Sequence, residues 1–367
     1  MVGQRGIERG AAAAGDSGQP LRVGVLGAGT VGREVVDALL NGWSPEGSGK
    51  RLTLAGVAVR DLAKAEAAGL PANLLTDAPA HLLAEGPDVV VELMGGEEPA
   101  RTLIAAALGA GIPVVTANKY VVARHGAELE AIARRTQTAF RFEAAVMGGT
   151  PILRLLAEDL AGTRVGAVRG IVNGTTNHIL TEMTTGGLTY EAALAGAQAA
   201  GYAEADPTGD VEGGDAADKL VILARLAFGT WLDRGSVTVA RPGGMPGITG
   251  VTADDLAAAA AGGSAIRLLA SATRAGDGGP TDASVLPTEV PRESPLGGTN
   301  GVRNRIEIET DRLGWIGVEG PGAGGAATAA AVLADLAAIA AGGGSTWGAL
   351  PPATSAAVVP PVKAAAR

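Results

Sequence analysis

A glycine-rich segment between an apolar run and a helical stretch constrains this chain's fold more than any other feature. The apolar run is LRVGVL at 21–26, the segment is GAGTVG, and REVVDALLNGW follows with helical spacing. Gly27, Gly29 and Gly32 give the spacing G-x-G-x-x-G, which permits a tight turn, close approach of a pyrophosphate, and close packing of helix on strand. Free N–H groups at the helix N-terminus suit phosphate. We therefore predict a dinucleotide-binding turn, with a purely structural tight turn as the alternative.

Further apolar runs follow at intervals that suit a parallel sheet. They lie at 52–59, 88–93 and 112–116, and a helical stretch at 100–110 precedes the last of them. Strands that alternate with helices indicate right-handed βαβ units. Continuous apolar strands indicate a sheet that is covered on both faces. We predict an α/β, Rossmann-type nucleotide-binding domain with a parallel sheet over residues 21–165.

The pattern changes after about residue 166, where short β-type runs lie close together without long helices between them. This change predicts a second, α+β domain with an antiparallel or mixed sheet over residues 166–319. A helical stretch near 320–341 would return to complete the first domain. Residues 1–20 are predicted to be a disordered leader, and residues 342–367, rich in Gly, Pro and Ala, a flexible tail.

Charge and composition exclude several classes of function. The 367 residues carry 29 Lys and Arg against 38 Asp and Glu, a net charge of −9, without a basic run. This argues against nucleic acid or an anionic membrane as a partner. The absence of cysteine excludes disulfides, thiolate nucleophiles and Cys-ligated metals. No apolar stretch reaches the ~18 residues needed to cross a bilayer, and no signal peptide is evident, so we expect a cytoplasmic protein.

The most informative segment is the acidic loop at 201–220. Its six acidic residues lack the spacing of an EF-hand, which argues against calcium. Asp215 is placed to cap a following helix, and Lys219 lies one turn later on the same face. An exposed ion pair is the simple alternative, yet Ile222, Leu223 and Leu226 fall within about 60° of Lys219 on a helical wheel. A desolvated lysine beside a carboxylate can donate and accept a proton.

Two other cations follow predicted strands of the first domain. Lys119 ends the segment TANK after the fourth strand, where parallel sheets bind ligands, so we expect it to share a cleft with Lys219. Taken alone, Lys119 would be interpreted as a solvated strand-end lysine. Arg60 follows the second strand and would match a 2′-phosphate bidentately, which favours NADP, although Asp61 beside it keeps NAD open.

Seven segments in order resemble the homoserine dehydrogenase family. They are VGVLGAGTVGREVV, VELMGGEEPA, TANKYVV, EAAVMGGTPI, GIVNGTTNHIL, AEADPTGDVEGGDAADKLVILA and GPGAGG. The NGTTN and ADPTGDVEGGDAADK segments are the most specific to that family. The resemblance implies NAD(P)-dependent interconversion of L-homoserine and L-aspartate 4-semialdehyde, in the biosynthesis of threonine, methionine and isoleucine. It also implies that the second domain binds substrate and forms a homodimer through its sheet.

The resemblance further implies roles for individual residues. Lys219 would be the proton donor and acceptor at the substrate C4 oxygen, Asp215 would bind substrate and orient Lys219, and Lys119 would assist beside the nicotinamide. The implied substrate-binding positions are Glu204, which would hold the amino group, Asp215, Thr175, Thr176 and Asp210. The implied cofactor-binding positions are Gly27, Ala28, Gly29, Thr30, Val31, Gly32, Arg60, Met94, Gly95, Lys119, Gly201 and Gly324.

A sodium site is also implied within the EAAVMGGT segment. Its positions are Glu143, Val146, Gly148 and Thr150, three of which would bind the ion through backbone carbonyls. An ordinary Gly-Gly turn with a structural carboxylate is the alternative. His178 stands where the family more often has an aromatic residue, and we interpret it as a shape variation near the site.

Two alternatives of other kinds remain open at this point. One is another two-domain NAD(P)-dependent oxidoreductase for a small amino or keto acid, and the other is a non-catalytic nucleotide-sensing protein. The second leaves the Asp215–Lys219 pair unexplained, and the first need not carry the acidic loop. Many bacterial relatives continue with a regulatory domain of the ACT type, which residues 342–367 are too short to form. We therefore expect activity that is insensitive to threonine.

Overall fold

A computed structural model describes residues 19–46, 50–241, 243–274 and 281–355. The predicted leader lies outside these residues except for its last two positions. Within the described part of the chain there are two large sheets, and each has helices packed against it. None of the described helices is long and apolar enough to cross a membrane.

Six parallel strands form the first sheet, in the order β3-β2-β1-β4-β5-β6. Their bounds are Leu21–Leu26 (β1), Leu52–Ala58 (β2), Leu75–Thr76 (β3), Val89–Glu92 (β4), Val114–Thr116 (β5) and Phe140–Arg141 (β6). Strand β4 is buried throughout, and so is β5, as expected for strands covered on both faces. The order reverses between β1 and β4, and such switch points form ligand-binding crevices at the carboxyl ends of the strands. The predicted Rossmann-type domain is confirmed.

Five helices connect these strands. They are Thr30–Leu40 (α1), Leu62–Ala67 (α2), Pro79–Ala84 (α3), Ala100–Gly109 (α4) and Lys119–Thr136 (α5), with short 3₁₀ turns at Ala72–Leu74 and Glu143–Ala145. Helix α5 starts where the Asn118 side chain accepts the N–H of Val121, at 3.2 Å. It ends at Gln137, which adopts a left-handed conformation with φ 53°. Lys119 is therefore the first residue of α5, at the ligand-binding edge of the sheet.

The second sheet has the order β10-β9-β7-β11-β12, and every neighbouring pair is antiparallel. Its strands are Val165–Ile171 (β7), Ser264–Arg274 (β9), Thr281–Pro291 (β10), Arg303–Thr310 (β11) and Gly314–Pro321 (β12), while Thr230–Trp231 (β8) lies apart. The helices of this region are Gly174–Gly186 (α6), Tyr190–Ala199 (α7), Thr208–Val211 (α8), Gly214–Phe228 (α9), Ala253–Ala261 (α10) and Pro295–Gly298 (α11), with further short helices at Leu155–Asp159 and Arg234–Ser236. This confirms a second, antiparallel α+β unit.

Helix α9 is the central helix of the molecule. Every residue from Ala216 to Phe228 is buried, because α9 packs against α5 of the first region and against strands of the second sheet. Apolar residues therefore surround the helix, and its charged side chains must find partners inside the protein. The placement brings the first turn of α9 beside the first turn of α5.

The last long helix, Gly325–Ala340 (α12), returns to the first sheet. Val332 and Leu336 join the core that contains Val23 and Val25. The Arg141 Nε atom of β6 donates to Asp335 of α12 at 2.9 Å, inside the protein. Burial raises the pKa of Asp335 to about 6, although Arg141 opposes this shift.

The prediction of a flexible tail from residue 342 is wrong for the segment 342–355, which we call the C-terminal segment. The Phe140 N–H donates to Ser345 Oγ at 3.0 Å, and the Thr346 N–H donates to the Phe140 carbonyl at 3.1 Å. Trp347 is buried, with its ring centroid 6.2 Å from those of Phe140 and Phe142. A short strand, Thr354–Ser355 (β13), pairs in parallel with β8. Composition suggested a flexible tail, but the buried Trp347 ring and several hydrogen bonds anchor this segment. Residues 356–367, the rest of the predicted tail, lie outside the described residues.

Candidate active site

The glycine turn joins the end of β1 to the start of α1. Gly27 has φ 99°, and a Cβ atom there would lie 2.7 Å from the Leu93 carbonyl oxygen, so only glycine fits. Gly29 is the N-cap of α1, without a side-chain cap, and a Cβ atom added there would meet no neighbouring group within 4 Å. Because no side chain caps the helix, the first N–H groups of α1 are available to a pyrophosphate.

A second helix N-terminus lies beside this turn. Gly324, with φ 122°, is the N-cap of α12 and also lacks a side-chain cap. A Cβ atom on Gly325 would lie 3.1 Å from the Thr30 methyl carbon, which shows how closely the two helix starts approach. The returning helix thus brings Gly324 to the edge of the predicted cofactor site, which includes Ala28 and Val31 of the turn.

Arg60 is exposed just beyond the end of β2. Asp61 beside it caps α2, because its carboxylate accepts the Lys64 N–H at 2.9 Å. Among the described residues Arg60 forms no ion pair. Its guanidinium is therefore available to a ligand, whereas the carboxylate of Asp61 serves the helix.

Three buried polar residues that the sequence analysis did not single out hold the next part of the site. Glu92, at the end of β4, accepts the Met94 N–H at 2.8 Å and the Thr116 hydroxyl at 2.6 Å. Asn118 donates from its side chain to the Gly96 carbonyl at 2.8 Å. Burial raises the pKa of Glu92, against the opposing effect of these hydrogen bonds. The hydrogen bonds of Glu92, Thr116 and Asn118 together fix the loop with Met94 and Gly95 relative to the start of α5. In the sequence, these three residues are marked only as polar residues at the ends of apolar strands.

Asp215 lies between two lysines. Its Oδ2 atom is 2.7 Å from the Lys219 Nζ atom, and its Oδ1 atom is 3.0 Å from the Lys119 Nζ atom. Although burial alone would raise it, the two lysines hold the pKa of Asp215 well below its ordinary value. Attraction to Asp215 in turn raises the pKa of Lys119. The two lysines that the sequence analysis placed in one cleft do meet, through a shared carboxylate.

The helix start differs from the prediction in one detail. Gly213, with φ 83°, is the N-cap of α9, and Asp215 is the second residue of the helix instead of its cap. Its carboxylate is therefore free to face the lysines and not the backbone of its own helix.

Lys219 is buried and firmly held. Its Nζ atom donates to the Val172 carbonyl at 2.6 Å and to Asp215 at 2.7 Å. An ammonium group has three N–H donors, so one donor remains. A cation with two N–H bonds fixed by protein groups presents its third N–H in a defined direction, which suits proton transfer to a bound oxygen.

Asn173 joins this group to a second carboxylate. Its side-chain Nδ2 atom donates to Asp215 Oδ2 at 2.9 Å and to Asp210 Oδ1 at 2.7 Å. Burial raises the pKa of Asp210, while the hydrogen bond from Asn173 opposes the shift. Asn173 lies in the NGTTN segment that carried the family resemblance, but the sequence analysis did not assign it a role.

The loop before α8 closes over the start of α6. The Thr175 hydroxyl donates to the Tyr202 carbonyl at 2.7 Å, which brings Gly201 and the exposed Glu204 beside the Asn173 region. The ring of His178 meets the edge of the Tyr202 ring, with centroids 5.0 Å apart. The predicted substrate contact of Thr176 is not evident from its side chain, since Thr176 is buried and its hydroxyl is bonded to Asn173.

The predicted sodium loop lies between β6 and the following helix. The Glu143 carboxylate accepts the N–H groups of Ile152, Leu153 and Arg154 at 2.7–2.9 Å, so it serves the backbone. Within the described part of the chain, no donor reaches the carbonyl oxygens of Val146 and Gly148. Thr150 donates from its hydroxyl to the Pro321 carbonyl at 3.1 Å. Available carbonyl oxygens fit a hard cation such as Na⁺, and a carboxylate ligand at Glu143 does not fit.

Family models match both halves of the chain. The model for homoserine dehydrogenase matches residues 151–337, and that for the homoserine dehydrogenase NAD binding domain matches residues 27–143. The chain belongs to the homoserine dehydrogenase family. It is therefore an oxidoreductase that acts on a CH–OH group with NAD(P).

Individual relatives agree with this assignment. A homoserine dehydrogenase of Mycobacterium tuberculosis is 44% identical over 314 residues, covering 84% of this chain and 69% of the relative. The structure of a Thiobacillus denitrificans homoserine dehydrogenase is 39% identical, with a TM-score of 0.81, covering 88% of this chain and 74% of that one. The structure of a hyperthermophilic archaeal homoserine dehydrogenase in complex with NADPH is 29% identical, with a TM-score of 0.73. The match covers 87% of this chain and 97% of that one. These similarities do not favour either alternative that the sequence left open.

Proposed function

We propose that Lys219 transfers the proton to and from the C4 oxygen when the enzyme interconverts L-aspartate 4-semialdehyde and L-homoserine. The observation that carries this role is the fixed, buried ammonium group with one remaining N–H donor. When NAD(P)H is bound, its nicotinamide supplies the hydride to the aldehyde carbon. The carbonyl oxygen then gains negative charge and takes a proton from Lys219, which completes the alcohol.

Asp215 orients Lys219 for this step. Its carboxylate lies within 3.0 Å of both lysine Nζ atoms, so an aldehyde oxygen that approaches Lys219 meets an N–H donor of fixed direction. Lys119 lies at the end of the first sheet, between the cofactor edge and Asp215, and assists at the reacting carbon. In the reverse direction, the neutral amine form of Lys219 would take the proton from the hydroxyl and so become the ammonium form, with NAD(P)⁺ as the hydride acceptor.

The remaining assigned residues would hold the amino acid part of the substrate. Glu204 is exposed on the loop that Thr175 fixes through Tyr202, so its carboxylate can pair with a substrate ammonium group. Asp210 would act with Asp215 through their shared bond to Asn173. We assign Thr176 a supporting contact to Asn173 and no direct substrate contact.

A direct assay tests the reaction. The purified chain should oxidise NADPH when L-aspartate 4-semialdehyde is added, and should reduce NADP⁺ with L-homoserine. A folded chain that binds NADPH but turns over neither substrate contradicts the assigned roles. Homoserine formed in this way would serve threonine, methionine and isoleucine biosynthesis.

For the cofactor we propose a preference for NADP over NAD, set by Arg60. Its guanidinium is exposed and forms no ion pair with any residue that the structure describes, at the position where a 2′-phosphate would lie. Arg60→Ala should therefore weaken NADPH binding about tenfold, as expected for loss of a charge-assisted contact, and leave NADH binding nearly unchanged. Fluorescence titration measures both dissociation constants, with Lys64→Ala on the adjacent helix as control. Equal losses for the two cofactors would contradict the role of Arg60.

We also propose that the carbonyl oxygens of Val146 and Gly148 hold Na⁺, together with that of Glu143, which also accepts the Val146 N–H at 3.3 Å, and with Thr150 beside them. The loop lies against the residues that precede α12, because a Cβ on Gly148 would be 3.1 Å from the Gly322 carbonyl oxygen. A bound cation would therefore stiffen the contact between β6 and the Gly324 edge of the cofactor site. Replacing Na⁺ by choline should lower the melting temperature, and an unchanged melting temperature would contradict this assignment.

Finally, we propose a homodimer formed through the second sheet. Trp315 on the outer strand β12 is 46% exposed, and Leu313 in the adjoining turn is 59% exposed. Arg169 stacks over the Trp315 ring, with its guanidinium carbon 4.2 Å from the ring centroid. Sedimentation should show a dimer that Trp315→Glu weakens, and a monomeric wild-type chain would contradict the proposal.

A further inference from the structure

Helices α5 and α9 are joined by polar contacts at two separate places. At their N-terminal ends, Lys119 contacts Asp215. Eleven residues further along α5 and ten further along α9, Glu130 contacts Arg225. At 1.5 Å per residue the two spacings differ by only about 1.5 Å, so the helices run parallel and in register between these contacts.

The second contact belongs to a buried cluster in which the Glu130 carboxylate has four donors, while the buried Arg225 Nη1 atom has no partner among the described residues. The Glu130 carboxylate accepts the Arg225 Nε and Nη2 atoms at 2.9 and 2.7 Å, the Trp231 Nε1 atom at 2.7 Å, and the Arg134 Nε atom at 2.8 Å. The Glu130 side chain is 3% exposed and that of Arg225 is 0% exposed. A bidentate pair fixes both the distance and the angle between its two helices. We call Glu130, Arg134, Arg225 and Trp231 the distal cluster.

Two further features fix the geometry of the distal cluster. The Trp231 ring lies directly against Gly126 of α5, where a Cβ atom would overlap the ring. Arg225 also donates to the Pro351 carbonyl, and Arg134 to the Leu350 carbonyl, both at 2.8 Å. The C-terminal segment is therefore bonded to one arginine from each helix.

We propose that the distal cluster is a positioning device for the reaction. It sets the register of α5 on α9, so that Lys119 and Lys219 meet the same carboxylate. A slide of one helical turn is about 5.4 Å, which would separate Lys119 from Asp215 completely. Even a shift of about 1 Å in catalytic geometry can cost about 100-fold in rate. None of these residues touches substrate in the proposed function, on which this role rests.

Arg225→Lys provides the main test. It keeps the buried charge but lacks the planar fork of arginine, so the pair to Glu130 loses its fixed geometry. We expect kcat to fall about 10- to 100-fold while the dissociation constant for NADPH, bound at the β1–α1 turn, stays unchanged. Glu128→Gln is the matched control, because Glu128 lies on the same helix and pairs with Arg101 at the surface. Its kcat should equal that of wild type.

A second variant separates positioning from stability. Glu130→Leu combined with Arg225→Met replaces the buried pair by apolar side chains, which often preserves stability. We expect a melting temperature near that of wild type with kcat still lowered. Wild-type kcat in this double variant, or in folded Arg225→Lys, would overturn the proposal. If the double variant does not fold, Arg225→Lys decides alone.

A titration of Lys119 supplies a readout that does not depend on turnover. The chain has only five lysines, so ¹³C-labelled lysine signals can be resolved. Asp215 chiefly raises the pKa of Lys119, with smaller effects from Asp210 and Asp218. In Arg225→Lys, displacement of α5 away from Asp215 should lower the pKa of Lys119. In Glu128→Gln, where α5 keeps its position, the pKa of Lys119 should stay unchanged. An inactive wild type would refute the proposed function only. An unchanged pKa of Lys119 in Arg225→Lys would instead refute the positioning role of the distal cluster.

Discussion

Asp215 and Glu130 are carboxylates that each lie between two cations, with side chains 10% and 3% exposed, yet they lie in chemically different regions. Asp215 bridges Lys119 and Lys219, whereas Glu130 bridges Arg134 and Arg225. The Lys119 side chain is 41% exposed, while Arg225 is fully buried. Lysine can release a proton when its surroundings change, but arginine remains charged and holds a planar geometry. The same helix pair therefore has a reactive end built with lysine and a fixed end built with arginine.

The pKa directions agree with this difference. Burial tends to raise the pKa of Glu130, and Arg225, Trp231 and Arg134 together hold it below its ordinary value. Every partner of Glu130 is a nitrogen donor within the protein. At the other end, by contrast, Lys219 retains one N–H donor for a ligand. An unpartnered donor alone does not make an end reactive, since the buried Arg225 Nη1 atom also has no partner among the described residues. The difference lies in the cation, because lysine can release a proton and arginine cannot.

The largest expected effect is at the reactive end. Lys219→Ala should lower kcat by about 10²–10⁴-fold, the usual contribution of general acid–base catalysis, with the fold and NADPH binding intact. Steady-state assays and fluorescence titration measure the two quantities. Lys219→Arg makes the comparison sharper, because it keeps the positive charge but the guanidinium does not release a proton at neutral pH. If Lys219→Ala keeps more than about half of the wild-type kcat, Lys219 is not the acid–base group.

For the free energy of unfolding, the larger effect should come from the Glu130 end and the smaller from the Asp215 end. Glu130→Gln leaves the Arg225 charge buried and uncompensated, which should cost about 3–5 kcal/mol in the free energy of unfolding. Asp215→Asn should cost less, because the Lys119 side chain is 41% exposed and keeps part of its contact with water when the carboxylate is lost. Urea unfolding of both variants at neutral pH tests this order. A larger loss in Asp215→Asn would show that both ends are structural.

The smallest effect concerns pH. The folded-state pKa of Asp215 lies below its ordinary value, so its ionised form stabilises the fold above about pH 4. This contribution is lost as the pH falls through the folded-state pKa. The difference in unfolding free energy between wild type and Asp215→Asn should therefore be constant near neutral pH and shrink in acid. A difference that grows in acid would contradict the assigned charge state.

Much of the fold could be predicted because local patterns carried it. Alternating apolar runs and helices predicted the parallel sheet, and β1 was placed at its observed bounds. The glycine spacing predicted the turn, and helical periodicity placed Lys219 on a buried face beside Asp215. These features depend on residues that are close in sequence, where period and turn chemistry act directly.

Other parts of the site could not be predicted, since they depend on contacts between distant segments. Asn173 meets Asp210 and Asp215 only because α6 and α9 start side by side. In the sequence, Glu130 and Arg134 suggest an ordinary exposed pair four residues apart. Burial against Arg225, 95 residues away, changes that pair into a structural cluster.

The sequence by itself determined the nucleotide-binding turn, the alternation of strands and helices, and the Asp215–Lys219 pair, since each follows from spacing within one element. Only the tertiary structure decided that Lys119 shares Asp215, that Glu130 is saturated by buried donors, and that the C-terminal segment packs through Trp347. Composition could not indicate those partners, because the free energy of a charged or aromatic group depends on what it is buried against.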